Sequence, residues 1–309
     1  MNDVRVVIPN HNRRALVTRL VSFLLAQQGE AKAEIVVVCD GCTDGSAEHL
    51  RRTFGAAIGI VEQAQGGCGV ARNAGTVGCR APYVLFLDDD MRPEPDMVQR
   101  HVDAQRRIGG GIVVGAIPVD AASPPSFLTE GLARWAAGRD ARLRQRPQVG
   151  FADVLGGHLS VSREVFERLG GFDPAFMSDE DLELGWRALA EGVRAEYAAD
   201  AVAWQLFEKS FVGLARDIVR AAAADALFAR KHPGAAEHLL LDRWDRLPRW
   251  EAWALRATLR YPGVTRVALH PAVLAMEQLR RLGATGRWVE SAHAILRAHL
   301  YGVGITSSA

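Results

Sequence analysis

The chain has 309 residues, of which 49% are apolar and 24% are charged, a composition typical of a globular protein with one large domain or one domain and an appendage. The formal net charge is +1, which excludes binding of nucleic acid or of an acidic polymer through overall charge. Residues from 242 onward are locally basic, and no apolar run reaches the ~20 residues that span a bilayer.

The first ninety residues alternate apolar runs with helix-like segments. The apolar runs predict four strands: Val4–Ile8, Glu34–Cys39, Ile58–Glu62 and Tyr83–Leu87. Helices are predicted between them, at the helical spacing of Leu16, Leu20 and Leu24, over Thr43–Phe54 and over Val70–Cys79. This repeated order predicts an α/β fold with a doubly wound, mostly parallel sheet flanked by helices. Because Val4 follows Met1 so closely, we expect no targeting segment and a cytoplasmic protein with reduced thiols.

Polar residues follow three of the predicted strands. They occupy Pro9–Asn12, Asp40–Asp44 and Asp88–Asp90. Ligands of doubly wound sheets bind beyond the carboxyl ends of the strands. We therefore expect these three segments to converge on one crevice.

The second half of the chain has a looser pattern. Helices are predicted over Phe127–Ala137, Ser162–Leu169 and Glu180–Glu191, a strand near Arg194–Ala203, and helical structure from Ser210 onward. A boundary near residue 234 is expected. It would divide a catalytic domain (residues 1–233, with a nucleotide-binding half at about 1–120 and an acceptor half at about 121–233) from a helical C-terminal extension (residues 234–309).

The acidic triplet Asp88–Asp90 has two interpretations. Three adjacent carboxylates repel one another strongly unless something compensates them. A solvated loop before a helix would suffice structurally. Alternatively, the carboxylate oxygens hold Mg²⁺ or Mn²⁺ and leave metal positions open for diphosphate oxygens.

Other polar residues are open to structural and functional interpretations. Asp40 lies in a glycine-rich turn and could serve the turn alone or accept a hydrogen bond from a ligand. Arg72 could be a surface residue or a diphosphate partner. Glu180 and Asp181 begin a predicted helix, where acids interact favourably with the helix dipole, or one of them removes a proton from an attacking hydroxyl. The CxxC spacing of Cys39 and Cys42 has no second pair, so it is a poor indication of zinc.

Six motifs in order resemble the family 2 glycosyltransferases. They are Ile8-Pro9-Asn10-His11-Asn12, Cys39-Asp40-Gly41-Cys42-Thr43-Asp44-Gly45, Ala71-Arg72-Asn73-Ala74-Gly75, Phe86-Leu87-Asp88-Asp89-Asp90 with Pro93, Gly170-Gly171-Phe172-Asp173, and Glu180-Asp181 with Arg187. Each motif is weak or moderate alone, but their order and spacing are specific, and they extend over about three quarters of the chain, from Val4 to Pro233.

The resemblance implies a GT-A fold, an inverting reaction and a set of site residues. Asp40 would bind the nucleobase, with Arg72 supporting its pocket, and Asp181, with Glu180 beside it, would be the general base. The metal would be held by Asp88 and Asp90 of the DXD motif. The implied nucleotide-sugar site consists of Pro9, Asn10, Asn12, Asp40, Arg72, Asp88, Asp89, Gly157 and His158. The implied cofactor is Mn²⁺ or Mg²⁺, and a UDP-sugar is the favoured donor.

Two positions depart from the family's pattern. Cys39 replaces the commoner first aspartate of the loop, which should be tolerated. Gln205 stands where many members have a histidine that can ligate the metal, and a Gln carbonyl is a poorer ligand for Mn²⁺. A nucleotide-sugar-binding protein without transfer activity, or a nucleotidyltransferase on a related sheet, are the alternatives.

The acceptor is not identified by the sequence. A natural product, a lipid-linked glycan and a peptide fit equally well. Three tryptophans in Trp244–Trp253 and the interleaved arginines favour packing of the tail on the catalytic domain. The same residues could instead place the protein peripherally at the inner face of the membrane.

Overall fold

The computed structural model describes residues 2–146 and 148–238, and beyond them residues 253, 271, 274, 275, 277, 278, 296, 299 and 300. Two compact units are present. The first consists of residues 1–122 and 135–207, and the second of residues 123–134 and 208–309. The predicted boundary near residue 234 stays a prediction, and Trp244 and most of the predicted extension lie outside the described residues.

The first unit contains one eight-stranded sheet. Its strands are β1 (Val4–Asn10), β2 (Ala33–Asp40), β3 (Gly59–Gln63), β4 (Tyr83–Leu87), β5 (Met91–Pro93), β6 (Ile112–Ala116), β7 (His158–Ser162) and β8 (Ala195–Gln205). The described helices are α1 (Arg14–Leu25), α2 (Ser46–Phe54), α3 (Cys68–Thr76), α4 (Met97–Ile108), α5 (Phe127–Gln145), α6 (Arg163–Arg168), α7 (Glu180–Ala190) and α8 (Phe211–Lys231). Short 3-10 turns occur at Gly55–Ala57, Phe151–Asp153 and Pro233–His238.

The strand order is β3-β2-β1-β4-β7-β6-β8-β5. The first four strands in this order are parallel, as are β6 and β8, whereas β7 is antiparallel to β4 and β6, and β5 is antiparallel to β8. This arrangement confirms the predicted mostly parallel sheet flanked by helices.

The alternation of side chains along β1 divides the core into two layers. Val6 and Ile8 pack on one face with the apolar side of α1, including Leu20. Val7 points to the other face and packs in a cluster that contains Phe86 and further residues of β2, β6 and β7. Because both faces are covered, β1 is buried along its whole length, as its apolar run predicted.

The structure changes several predicted boundaries. α2 begins at Ser46 rather than Thr43, because the amides of Thr43 and Asp44 donate to Asn12 Oδ1 and Gly45 adopts a left-handed φ of 76°. α3 ends at Thr76, and α5 continues to Gln145. Among the described residues, no helix is both long and apolar enough to cross a membrane.

Candidate active site

The three predicted ligand-binding segments lie at one edge of the sheet. β2, β1 and β4 are adjacent and parallel, so their carboxyl ends share an edge. Pro9 and Asn10, both buried, end β1, Asp40 ends β2, and Asp88 follows β4 directly. The structure therefore brings these segments together, as their positions after the predicted strands indicated.

The segment after β1 shapes the loop after β2. Asn12 has a left-handed φ of 54°, which asparagine tolerates, and its Oδ1 accepts from the amides of Thr43 at 2.7 Å and Asp44 at 3.2 Å. The side-chain amide of Asn10 contacts Cys42 Sγ at 3.2 Å. Asn10 and Asn12 were predicted to belong to the nucleotide-sugar site, and these contacts show how they hold its loops in place.

Asp40 is buried at the end of β2 and is surrounded by neutral donors. Its Oδ1 accepts from Gln63 Nε2 and from the amide of Gly66, both at 2.8 Å, and its Oδ2 accepts from the amide of Gly67 at 2.9 Å. An ionised carboxylate has about four lone-pair sites. These three donors leave roughly one acceptor position, on Oδ2.

Arg72 on α3 joins the acidic segment after β4 to the first turn of α7. Its Nη2 donates to Asp88 Oδ1 at 2.8 Å, its Nη1 pairs with Glu180, and its guanidinium carbon lies 5.5 Å from the ring centre of Phe172. Burial alone would lower the pKa of Arg72, but the carboxylates of Asp88 and Glu180 outweigh it and raise that pKa above its ordinary value. Arg72 is therefore a permanently charged bridge.

This placement corrects the role expected for Arg72. The sequence interpretation put it beside the nucleobase pocket of Asp40. Its guanidinium instead pairs with Asp88 and Glu180, while Asp40 is held by Gln63 and backbone amides. The physical reason is charge: the buried carboxylate of Glu180 and the half-buried carboxylate of Asp88 share one cation, whereas Asp40 is already held by neutral donors.

Arg13 contacts the other two acids of the triplet. It precedes α1, and its two terminal nitrogens pair with Asp89 at 2.5 Å and Asp90 at 3.2 Å. Both carboxylates are almost completely buried, whereas the Arg13 side chain is 35% exposed. Burial lowers the pKa of Arg13, and the coulombic effects of Asp89 and Asp90 reverse this and raise it.

Asp181 differs from its neighbour Glu180. Glu180 is buried and paired with Arg72, whereas Asp181 is partly exposed. Asp181 Oδ2 accepts from the amide of Gly156 at 2.6 Å, and Oδ1 accepts from the amide of Leu182 at 2.8 Å. Burial of the carboxyl, and next the charge of Glu180, raise the pKa of Asp181 to about 6.

Gly156 and Gly157 keep space open between these groups. A Cβ on Gly156 would lie 2.6 Å from Arg72 Nη1, and a Cβ on Gly157 would lie 2.8 Å from Asp88 Oδ2. The Gly157 carbonyl also accepts from the amide of Asp88 at 3.1 Å. Gly157 thus lies against the acidic triplet, and a side chain there would fill the space beside Asp88 Oδ2.

The structure does not place the side chain of His158 at the donor side, as the resemblance implied. The imidazole is fully buried, its Nδ1 donates to the carbonyl of Ala116 at 3.2 Å, and its Nε2 lies 2.9 Å from His101 Nε2. Side chains of β7 alternate between the two faces of the sheet, and that of His158 points into the buried interior. The backbone of the preceding residue, Gly157, contacts Asp88. Burial lowers the pKa of His158 to about 4, so the pair is neutral near pH 7.

Gln205 ends β8 beside the DXD motif. Its backbone pairs with Met91, and the amide of the next residue, Leu206, donates to the carbonyl of Asp90 at 2.9 Å. Its contact with a metal stays a prediction.

The residues present fit a divalent cation. Asp88 and Asp90 offer the carboxylate oxygens that Mg²⁺ and Mn²⁺ prefer, and Gly157 leaves room at Oδ2 of Asp88, whereas Oδ1 pairs with Arg72. Within the described residues, no three His, Cys, Asp or Glu side chains converge as a protein-only cage. Mg²⁺ characteristically uses one or two carboxylates together with water and substrate phosphates, so the donor set is adequate.

The sequence reasoning missed Arg13 as a member of the site. The available signal was its position just after the strand that neighbours β4, because a basic residue there is brought next to the acids that follow β4. The contact of Gly156 with Asp181 was also missed, and it carried no local signal because the two residues are 25 positions apart.

Comparison with known proteins gives a consistent family. The family described as "Glycosyl transferase family 2" matches residues 5–170. The Validoxylamine A glucosyltransferase of Streptomyces hygroscopicus subsp. jinggangensis is 29% identical over 271 residues, which cover 76% of this chain and 62% of that protein. The chain spans about half to two thirds of the length of the curated relatives it matches.

Two solved structures share the fold. The mannosyltransferase PcManGT of Pyrobaculum calidifontis, in complex with GDP-Man and Mn²⁺, has a TM-score of 0.61 at 19% identity and covers 97% of this chain and 87% of its own. TarS of S. aureus, in complex with UDP, has a TM-score of 0.55 at 15% identity, covering 99% of this chain and 91% of its own. At these identities the similarity is one of fold.

Proposed function

The chain belongs to glycosyl transferase family 2, and from this membership we propose that it transfers a sugar from a nucleoside diphosphate sugar, with UDP-sugar favoured, to a hydroxyl or other nucleophile of an acceptor. The observation that carries the proposal is the bridge made by Arg72. It joins Asp88, after β4, to Glu180 at the start of α7, with Asp181 as the next residue. Donor-binding acids and a candidate base thus belong to one charged cluster.

Asp181 is the proposed general base of a single displacement with inversion. Each of its oxygens accepts one amide hydrogen bond, so lone pairs remain for a proton. A pKa of about 6 leaves it ionised near pH 7 and more basic than an ordinary aspartate, which suits general-base catalysis near that pH. It would remove the proton from the acceptor as the acceptor attacks the sugar from the face opposite the diphosphate.

Glu180 has a different proposed role. Its carboxylate is buried against Arg72. If Glu180 took up a proton, the buried guanidinium of Arg72 would lose this negative partner. We assign it to holding Arg72, which in turn holds Asp88. Glu180 therefore supports the site and Asp181 performs the proton transfer.

The donor's diphosphate is proposed to bind beside Asp88 and Asp90. Mn²⁺ or Mg²⁺ held by these carboxylates would supply positive charge next to the leaving diphosphate. Gln205 is the proposed further ligand at the end of β8. The fold neighbour that is complexed with GDP-Man and Mn²⁺ supports this choice of cation and donor class.

Asp40 is proposed to contact the nucleobase through the remaining acceptor position on Oδ2. Uracil N3–H and guanine N1–H can donate to it, whereas cytosine N3 carries no proton. The fold neighbours bind UDP and GDP-Man, whose bases both offer such a donor. The preference for uracil comes from the family resemblance.

The remaining assignments concern the acceptor side and the domains. We place the acceptor half at about residues 121–233 and the acceptor among natural products, lipid-linked glycans and peptides. The proposed helical extension and its peripheral membrane contact concern residues largely outside the described ones.

One experiment tests the proposed activity. The full chain is incubated with each nucleotide sugar and Mn²⁺, and release of nucleoside diphosphate is followed over hours. We expect metal-dependent release that chelation abolishes and that Asp90→Ala reduces to background, whereas Asp103→Ala, at an exposed carboxylate on α4, releases at the wild-type rate. Binding without release would indicate the nucleotide-sugar-binding alternative. Formation of nucleoside triphosphate from the nucleotide sugar and added pyrophosphate would indicate the nucleotidyltransferase alternative, and full activity in excess chelator would exclude the metal assignment.

A further inference from the structure

Arg13 pairs with Asp90, one of the two carboxylates proposed to hold the metal. Its guanidinium spans two adjacent carboxylates, with Asp89 at 2.5 Å and Asp90 at 3.2 Å. The Asp90 side chain is 6% exposed, so its charge depends on a nearby cation. A bound divalent metal would balance this charge, and Arg13 is a cation that already contacts the same carboxylate.

Arg13 and Arg72 hold the same acidic triplet but differ greatly in exposure to solvent. Arg72 is 3% exposed and is fixed between Asp88 and Glu180 beneath Phe172. The Arg13 side chain is 35% exposed. Its backbone is fixed, because its carbonyl accepts from the amides of Leu16 and Val17 in the first turn of α1. Only the Arg13 side chain can leave the acids without disturbing a helix or the buried cluster.

We propose that Arg13 is a tethered cation that neutralises Asp89 and Asp90 until the donor arrives, and that it thereby makes metal binding depend on the nucleoside diphosphate. This inference rests on the proposed function. A metal that binds alone must compete with a guanidinium that already pairs with Asp90 Oδ2. When a diphosphate is present, the freed guanidinium gains a new anionic partner, because arginine pairs well with phosphate oxygens.

The proposal has a definite thermodynamic signature. Without Arg13, the metal no longer has to displace this guanidinium from Asp90 and should bind more tightly on its own. The nucleotide should then add less to metal affinity, and by reciprocity the metal should add less to nucleotide affinity. A residue that merely orders the two carboxylates would have the opposite effect, since its removal would weaken metal binding.

The test is calorimetric titration of the full chain with Mn²⁺, in the absence and presence of UDP. Wild type, Arg13→Gln and Arg106→Gln are compared, the last being a loss of the same charge at a surface ion pair with Asp3. We expect Arg13→Gln to bind Mn²⁺ alone roughly tenfold more tightly than wild type and to lose a similar factor of the gain from UDP. Arg106→Gln should match wild type.

The melting temperature provides a second measurement in case the variant folds poorly. If Arg13→Gln is destabilised by the buried charge of Asp90, Mn²⁺ should raise its melting temperature more than it raises that of wild type. Equal or weaker Mn²⁺ binding by Arg13→Gln, while wild type binds Mn²⁺ and UDP together, would overturn this inference and leave the proposed function intact. Failure of wild type to bind Mn²⁺ even with UDP would overturn both the metal assignment and this inference.

Discussion

The acids at the ends of β2 and β4 lie at the same edge of one sheet but are stabilised by different partners. Asp40, after β2, accepts hydrogen bonds from Gln63 and from two backbone amides, all neutral groups. The triplet after β4 is held by the guanidinium groups of Arg13 and Arg72. The two ends of the sheet edge therefore offer a fixed hydrogen-bonding acceptor and a set of charges balanced by cations.

This difference determines whether the partners of each acid can be replaced by a ligand or a metal. Backbone amides belong to the loop itself and cannot leave Asp40, so its remaining acceptor position is preorganised for a ligand donor. Cations that balance a carboxylate can be replaced by another cation. We therefore expect changes after β2 to alter nucleotide affinity and changes around β4 and α7 to alter transfer.

The largest change in transfer rate is expected for a substitution of Asp181. This carboxylate accepts from two backbone amides, and its neighbour Glu180 pairs with Arg72. Asp181→Asn preserves its shape and removes its basicity, so the transfer rate should fall by roughly 10²–10⁴-fold while UDP affinity stays within a few-fold. Asp40→Asn, the same chemical change after β2, should show the reverse pattern. A stable Asp181→Asn protein with the wild-type transfer rate would exclude the general-base role and leave an N-terminal helix acid.

A smaller effect is expected when the space beside Asp88 is filled. In Gly157→Ala the new Cβ would lie 2.8 Å from Asp88 Oδ2, so the carboxylate or the loop must shift. We expect transfer to fall by about 10²-fold, the order of the cost of displacing a reacting geometry by 1 Å. The measurement is the steady-state rate with saturating donor.

Gly138→Ala provides the control for this substitution. A Cβ at Gly138 meets no atom within 4 Å, and its exposed position in α5 favours alanine. Transfer should be unchanged. If Gly157→Ala were equally active, Gly157 would not define the space beside the DXD motif.

The transfer rate should fall about tenfold for each pH unit below the pKa of Asp181. The raised pKa of Asp181, about 6, means that the carboxylate gains a proton as pH falls through this value, and only the ionised form can act as base. Transfer at about pH 5 should therefore be about a tenth of its plateau value above pH 7. The step should persist in Asp40→Asn and be missing from the residual rate of Asp181→Asn, and a profile that is flat down to pH 5 would contradict it.

The sequence predicted β1 and β4 well because they are buried on both faces. Tyr83–Leu87 is an unbroken apolar run and Val4–Ile8 is interrupted only by Arg5, and a parallel strand covered by helices produces such a pattern. The short strands β5, β6 and β7 were not predicted. β7 inserts antiparallel between β4 and β6, a pairing without a local sequence signal.

The site was predictable where it depends on strand ends and was not where it depends on distant contacts. Asp40 and Asp88 lie at the same sheet edge because they stand at the carboxyl ends of the parallel strands β2 and β4. The ion pair of Arg72 with Glu180 joins residues 108 positions apart, and no spacing rule could assign that partner. His158 was misplaced because a motif gives the position of a backbone segment and not the side of the sheet to which a side chain points.

The most direct test of the account is a set of UDP titrations by calorimetry, with and without Mn²⁺, on wild type, Asp40→Asn and Asp90→Ala. For wild type we expect Mn²⁺ to increase UDP affinity by roughly tenfold or more. Asp40→Asn should weaken UDP binding by a similar factor in both conditions and keep the gain from Mn²⁺, while Asp90→Ala should bind UDP without any gain. Loss of the Mn²⁺ gain in Asp40→Asn, or its retention in Asp90→Ala, would contradict the division of this sheet edge into a base-binding end and a cation-binding end.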